Sequence, residues 1–243
     1  MLAFVLIACC VLIALLFVRH LRNAGYFDKV EIEVVEKPRF IGQNLEILYK
    51  YYIGPYQKTG DYIKELRSLV GKDAKIISVY YDNPKLVREE LCQSIVGVIY
   101  SIDDNAQLEP HFATNLSRWG FERFRMPAVN TAVSCQQRFS GFFSYLHLIW
   151  HVYPQITKFF EEQRFECRLT VEILTGDRLK ILCPLDHVEE FVVSEVLSTE
   201  KLEEKLASGE FQLSSDDNTD VSDEESSDFD EQTEDENTQL LDA

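Results

Sequence analysis

The chain lacks the cysteine spacing that marks a disulfide framework, a zinc site or a thioredoxin-like redox motif. It contains six cysteines, and no two of them form a C-x-x-C pair. Cys9 and Cys10 lie in an apolar N-terminal run, and the others stand in apolar, strand-like surroundings. This usage is typical of cysteine as a small buried hydrophobic residue in a reducing compartment. Acylation of Cys9 or Cys10 is the alternative to simple packing against lipid.

Motifs of common catalytic sites are also missing. No G-x-S-x-G motif, P-loop or G-x-G-x-x-G motif occurs. His147 and His151 stand four residues apart on a predicted helix, which places two imidazoles on one face. Leu148 follows His147, so the HExxH pattern is absent, and no acidic or cysteine ligand completes a site. We therefore predict that the protein is not an enzyme and holds no metal or cofactor.

Basic charge is too scarce for a general nucleic-acid binder. The formal net charge is −17, from 24 basic and 41 acidic residues. Residues 214–243 contain thirteen of the acids and no Lys or Arg, which leaves 28 acids against 24 bases elsewhere. Because the remainder of the chain is close to neutral, we expect no direct nucleic-acid partner.

The N-terminus carries an uncharged run. Residues 2–18 (LAFVLIACCVLIALLFV) contain no charged side chain, and Arg19 and Arg22 follow at once. At about 1.5 Å rise per residue, such a run forms a helix of roughly 25 Å, near the lower limit for crossing a bilayer. The positive-inside bias predicts a single-pass anchor with the rest of the chain in the cytosol.

A cleaved signal peptide is the alternative interpretation of this run. Such peptides usually carry a basic segment before the apolar stretch and small residues at a cleavage site after it. Only Met1 precedes the run, and arginines follow it, so an uncleaved anchor is favoured. The sequon Asn115-Leu116-Ser117 distinguishes the two, because it is glycosylated only if the domain is lumenal.

The body of the chain shows the same order of patterns twice: a strand, a helix and then two strands. Alternating or β-branched runs indicate the strands, and apolar residues at helical spacing indicate the helices. Pro154 must end or kink the last of these helices. We predict an α+β protein with strands at 30–35, 45–53, 76–81, 92–100, 121–126, 128–139, 169–174 and 178–183, and helices around 63–70, 112–119 and 142–160.

Three segments of this body resemble a known family. YKYYIGPYQKTG (49–60), IISVYYDNPKLV (76–87), and LTVEIL with ILCPL (169–174 and 181–185) are similar to a gyrase-inhibitor-like domain. With the apolar run and the acidic tail, they resemble the testis-expressed protein 264 family over about residues 1–190. The resemblance implies an endoplasmic-reticulum membrane protein that faces the cytosol. It also implies a receptor for selective autophagy of that organelle (reticulophagy), with the autophagosome as a second location.

The expected organisation has four parts. They are a transmembrane anchor (1–18), a juxtamembrane linker (19–29), a gyrase-inhibitor-like domain of two strand-helix-strand-strand repeats (30–188) and an acidic disordered tail (189–243). Within the tail, STEKLEEKL is compatible with one short helix. Beyond it, Ser, Thr, Asp and Glu dominate, a composition that buries too little apolar surface to fold.

The resemblance also implies a cleft that accepts small, often cationic molecules. Glu172, in LTVEIL, is the position most similar to the family's ligand-contacting acid, and Tyr52, Tyr56, Tyr81 and Trp150 are candidates to line the cleft. A carboxylate with aromatic neighbours suits a cation, because the buried charge and the ring faces both attract it. The alternatives are that these aromatic residues fill the core and that Glu172 faces solvent.

The tail places a single aromatic residue in dense acid, at Asp228-Phe229-Asp230-Glu231-Gln232. This segment resembles the peptides by which selective-autophagy receptors add a strand to the ubiquitin-like modifier proteins of autophagosomes. In that mode an aromatic side chain fills one pocket and acids face a basic rim. The family pattern has an aliphatic residue three positions after the aromatic, where this chain has Gln232. Without the aliphatic side chain, we expect weaker binding. Phosphorylation of Ser222, Ser226 or Ser227 would add negative charge and offset part of that loss of binding.

A second short motif ends the tail. Glu236-Asn237-Thr238-Gln239-Leu240-Leu241 resembles the acidic dileucine signal bound by clathrin adaptors, although an acidic tail matches that pattern by chance quite often. The sequence therefore favours a membrane-tethered autophagy receptor. Two alternatives stay open: a membrane-anchored small-molecule sensor or hydrolase that uses the cleft, and an adaptor-sorted membrane protein.

Overall fold

A nine-stranded antiparallel sheet forms the centre of the molecule. The computed structural model describes residues 2–208. The strands are β1 Ile32–Glu36, β2 Leu45–Ile53, β3 Ile76–Tyr80, β4 Gln93–Ile102, β5 Asn105–Ala106, β6 Glu122–Met126, β7 Thr131–Arg138, β8 Thr170–Thr175 and β9 Arg178–Pro184. The helices are α1 Leu2–Asn23, α2 Thr59–Val70, α3 Pro110–Arg118, α4 Phe142–His147, α5 Tyr153–Gln163 and α6 Thr199–Ser208, with a π-helical segment, Leu148–Val152, between α4 and α5.

Two strand-helix-strand-strand repeats meet at the middle of this sheet. The strand order is β1-β7-β9-β8-β3-β4-β2-β6, with β5 paired to β4. The first repeat therefore contributes β2-β4-β3 and the second contributes β7-β9-β8, so β3 and β8 are equivalent strands that pair at the junction. The predicted α+β class and the repeat order are both confirmed.

The strand that precedes each repeat pairs with the other repeat. β1, before the first repeat, pairs with β7, for example Val34 opposite Val133. β6, before the second repeat, pairs with β2, where Ile47 lies opposite Phe124. This exchange links the two repeats at both edges of the sheet. The sequence did not predict it, because pairing between distant strands leaves no local pattern.

Both faces of the sheet are buried. The helices cover one face, where Leu66, Val96 and Ile156 belong to a single apolar cluster. Loop segments cover the other face, where Ile77 and Phe191 belong to a second cluster. Burial on both sides explains why the central strands are almost uniformly apolar rather than alternating.

The helix predicted over 142–160 is divided into three segments. Pro154 lies in the first turn of α5, directly after the π-helical segment. A proline lacks the N–H of a regular helical bond, and a wide π turn accommodates that loss. Pro154 therefore interrupts the regular α-helix, as predicted, and the helix widens locally into the π-helical segment before it.

The two ends of the folded unit differ from the expected boundaries. α1 continues to Asn23, so the first part of segment 19–29 is helical, and Gly25 with a φ of +76° follows the helix end. Residues 189–208, assigned to the tail from their polarity, pack on the domain, because Phe191, Val193 and Leu202 are buried. The short helix expected in STEKLEEKL is α6.

Residues 3–20 of α1 are exposed, and Leu21 is half-buried. Within residues 2–208 it is the one helix, Ala3–Asn23, that is long and apolar enough to cross a membrane, and none of it is buried inside the protein.

Candidate functional site

Glu172 is a buried carboxyl at the junction of the two repeats. It lies in β8, directly opposite Ser78 of β3. Its side chain points to the helix-covered face, and the residue is 8% exposed. Neighbouring Val171 and Ile173 belong to the apolar cluster on the opposite face, as strand alternation requires. The structure therefore places Glu172 inside the protein and not on the solvent face.

Two tyrosine hydroxyls hold this carboxylate. The hydroxyl of Tyr153 donates to Oε1 over 2.5 Å, and the hydroxyl of Tyr80 donates to Oε2 over 3.2 Å. Tyr80 ends β3 in the first repeat, whereas Tyr153 begins α5 in the second, directly after the π-helical segment. Both repeats therefore contribute to the site, which needs the folded junction to exist.

Burial sets the electrostatics of this cluster. Desolvation raises the pKa of Glu172, and the hydrogen bonds from Tyr153 and Tyr80 oppose that rise. Desolvation first, and the Glu172 charge second, raise the pKa of Tyr80 and of Tyr153 well above the ordinary value. Both tyrosines therefore remain protonated donors at neutral pH. A cation that displaced one hydroxyl would meet a desolvated carboxylate beside aromatic rings, which is a favourable environment for it.

The four aromatic residues expected to line the cleft lie in different parts of the structure. Tyr56 lies beside the site, since its ring meets that of Tyr80 edge to face at 4.7 Å. Tyr52 stacks on Tyr62, with ring centroids 3.8 Å apart. The Tyr81 hydroxyl donates to the Phe191 carbonyl and the ring packs with the cluster of the opposite face. Trp150 is exposed.

Tyr80 and Tyr153 were not predicted as site residues. The signal for Tyr80 is strand alternation: once Ser78 is opposite Glu172, the residue two positions later must share that face, and Tyr81 must not. The sequence does not reveal the pairing of β3 with β8. For Tyr153, the sequence indicates only a position on the apolar face of a helix and not a contact with Glu172.

His147 and His151 form part of a structural contact. His147 is buried, and its Nδ1 lies 3.2 Å from Oε1 of Gln137. Both rings pack against the ring of Tyr26, at centroid distances of 5.4 and 5.5 Å. Burial lowers the pKa of His147, which keeps the imidazole neutral. Within residues 2–208, no group of three His, Cys, Asp or Glu side chains is arranged to hold a metal ion.

The candidate tail residues lie outside the described part of the chain. They are Ser222, Ser226, Ser227, Asp228, Phe229, Asp230, Glu231, Gln232, Glu236, Leu240 and Leu241.

Solved structures resemble this one only distantly. An uncharacterized conserved protein from Listeria innocua has a TM-score of 0.40 at 8% identity and covers 63% of this chain and 91% of its own. A hydrolase from Listeria innocua has a TM-score of 0.37 at 11% identity and covers 65% of this chain and 92% of its own.

Curated sequences show a closer relationship, although no protein-family model matches the chain. The testis-expressed protein 264 homolog of Mus musculus is 30% identical over 165 residues, which are 68% of this chain and 53% of that protein. Testis-expressed protein 264 of Homo sapiens is 29% identical over 189 residues, 76% of this chain and 59% of that protein. The chain thus spans a little over half the length of the curated relatives it matches. On this similarity, the chain belongs to the testis-expressed protein 264 family.

Proposed function

We propose that the protein is a membrane-anchored receptor for selective autophagy of the endoplasmic reticulum. Its tail would bind ubiquitin-like autophagosomal modifier proteins through the segment around Phe229. The observation that carries this proposal is the exposure of α1, a helix of 22 residues that begins with an uncharged run and is not buried inside the protein. Membership of the testis-expressed protein 264 family supports the proposal, because the resemblance implied this role.

The exposure of α1 supports a membrane anchor. An apolar helix that is not buried by its own protein needs another apolar environment, and a bilayer core supplies one of about the right thickness. Arg19 and Arg22 stand at the end that leads into the domain. The positive-inside bias of those arginines supports a cytosolic domain and tail, the side on which the proposed modifier proteins would bind.

The start of the tail is attached to the domain at a defined point. Gln93 binds the backbone of Leu197 from both sides: Nε2 donates to the carbonyl over 2.9 Å, and Oε1 accepts from the N–H over 2.8 Å. α6 follows, with Leu202 buried. The acidic segment with Phe229 follows α6 in the sequence, and the described chain up to Ser208 is held on the domain.

The test is binding of the full-length protein to a purified ubiquitin-like autophagosomal modifier. Phe229→Ala should remove the aromatic anchor and weaken binding by about 30-fold, the effect of losing roughly 2 kcal/mol at a binding hot spot. Phe211→Ala is the matched control, because Phe211 is also a phenylalanine beyond α6 but has its aliphatic neighbour at the wrong spacing. Undiminished binding by Phe229→Ala would reject the proposed motif.

A second candidate function is the binding of a small cation at Glu172. The observation in its favour is a buried carboxylate whose partners are two neutral hydroxyls. Both candidates are binding functions: the tail binds a protein in the first, and the domain binds a small cation in the second. Thermal unfolding of the full-length protein in the presence of small aromatic cations tests it: a ligand that raises the midpoint for the natural chain should not do so for Glu172→Gln.

A further inference from the structure

An apolar surface remains exposed on the helical segment that follows β7. We call Phe142, Phe143, Ile149 and Trp150 the apolar helix face. Phe142 is 66% exposed, Trp150 is 60% exposed and Ile149 is 40% exposed, and Phe143 is partly buried. Side chains of this size are costly to leave in water when they adjoin one another.

The surrounding sequence is uncharged. Residues 139–157 contain no Asp, Glu, Lys or Arg, although charged residues make up 27% of the chain. The second half of the same helical segment, in α5, has the charged surface that is usual for an exposed helix, formed by Lys158, Glu161 and Glu162. Polarity therefore changes along the segment, with the apolar part at its N-terminal half.

This apolar half contacts the end of the uncharged run in α1. The Phe143 ring meets the Phe17 ring edge to face at 5.5 Å and the His20 ring at 5.4 Å. Phe17 is one of the last residues of the uncharged run 2–18. Phe143, although it belongs to the domain, therefore lies at the same depth as residues 17–20 of α1.

Further contacts fix this arrangement. The buried Ser144 hydroxyl donates to the Ala24 carbonyl over 2.7 Å. Arg138 pairs with Asp28 at 3.3 Å, and Tyr26 packs on His147. Because these contacts follow one another along α1 and the turn after it, the domain cannot swing away from the helix without breaking them.

The depth of Phe143 follows from helix geometry. Phe17 and His20 are about 4.5 Å apart along the axis at 1.5 Å per residue. The interfacial layer on each side of a bilayer is roughly 5–7 Å thick. If the uncharged run occupies the hydrocarbon core, a ring that touches both Phe17 and His20 lies in the interfacial layer, and the adjoining Phe142 lies there too.

We propose that the apolar helix face is a membrane-contact surface that enters the interfacial layer of the same bilayer that α1 crosses. This inference rests on the proposed anchoring role of α1. The occupant is lipid and not a second protein, because the face is continuous with the membrane-spanning helix and holds aromatic side chains of the kind found at headgroup level. The domain then has two attachments to the membrane and a fixed orientation on it.

The two natural tryptophans allow a direct test with the full-length chain in phosphatidylcholine vesicles. Some of the lipid carries bromine near the headgroup end of one acyl chain, so that it quenches tryptophans at that depth. Trp119→Phe leaves Trp150 as the reporter, and Trp150→Phe leaves Trp119, which is similarly exposed at 58% but precedes β6 at the opposite edge of the sheet. A third protein combines both changes with Phe142→Trp.

We expect brominated lipid to quench the Phe142→Trp reporter and Trp150, and their emission to shift to shorter wavelength, while Trp119 changes little. Quenching of both reporters no greater than that of Trp119 would overturn the proposal, and so would burial without quenching, which indicates a protein partner. Flotation of the protein with the vesicles after an alkaline wash measures the membrane insertion of α1 separately. Protein that floats without quenching contradicts only the second attachment, whereas protein that does not float contradicts the anchor itself.

Discussion

Phe17 and Phe143 pack edge to face with ring centroids 5.5 Å apart, which joins the apolar N-terminal helix to the second repeat of the domain. The helix and the domain are therefore one structural unit, and the chain between them is too tightly held to act as a flexible linker. The domain is therefore held in one orientation relative to α1.

Removing the Phe143 ring should loosen the helix from the domain. Aromatic pairs contribute about 0.5–1.5 kcal/mol, so Phe143→Ala should expose the segment after α1 several-fold more often. Limited trypsin digestion in detergent measures this at Arg22 and Lys29. Phe142→Ala is the control, because its exposed ring makes fewer contacts with the protein. Equal cleavage rates for the two variants would contradict the packing role of Phe143.

A methyl group at Gly97 should destabilise the sheet. A Cβ at this position would lie 2.3 Å from the Leu48 carbonyl oxygen and 2.9 Å from the Tyr49 Cα, both backbone atoms of the adjoining strand β2. Relief requires β2 and β4 to separate, so Gly97→Ala should cost about 1–3 kcal/mol of the free energy of unfolding.

Gly60→Ala is the matched control for that change. Gly60 lies in α2, where an added Cβ meets nothing within 4 Å, and alanine is the better helix former. We expect it to raise the free energy of unfolding by up to about 1 kcal/mol. Urea denaturation of both variants measures the pair. Loss of stability in Gly60→Ala equal to that in Gly97→Ala would show that the effect is not specific to the strand contact.

Glu172 should make stability depend on pH in a defined direction. Burial raises its pKa above the ordinary value of 4.5, so the folded state binds the proton more tightly than the unfolded state. The stabilising contribution of that proton is complete below the ordinary pKa. It is lost as pH rises through the raised pKa of the folded protein.

Glu172→Gln removes this dependence. The free energy of unfolding of Glu172→Gln minus that of the natural chain should become more positive as pH rises from below 4.5 to neutrality. Glu31→Gln is the matched control, because it makes the same change at an exposed carboxylate. Chemical denaturation across that pH range tests both variants. A difference between Glu172→Gln and the natural chain that is constant with pH would contradict the raised pKa.

The sequence predicted elements with local signals and missed relationships that depend on pairing. Leu45–Ile53 was predicted with its observed bounds, because β-forming residues run up to the Gly54-Pro55 turn. The exchange of β1 and β6 between repeats was not predicted, because the sequence of a strand does not indicate which distant strand pairs with it. The same reason explains the site: Glu172 was identified by resemblance, whereas Tyr80 required the register of β3 against β8.

Gln232 offers a gain-of-binding test of the tail motif. Three positions after Phe229, the family pattern has an aliphatic side chain, and in the proposed binding mode glutamine there would leave an apolar pocket of the modifier protein unfilled. Burying a leucine side chain contributes about 1.5–3 kcal/mol, so Gln232→Leu should tighten binding by roughly tenfold or more. Isothermal titration of the full-length protein with a purified modifier measures the change. The gain must disappear when Phe229→Ala is added, because both side chains are expected to bind through one added strand. A gain that survives without Phe229 would mean that leucine at 232 binds by a different mode and that the motif is not centred on Phe229.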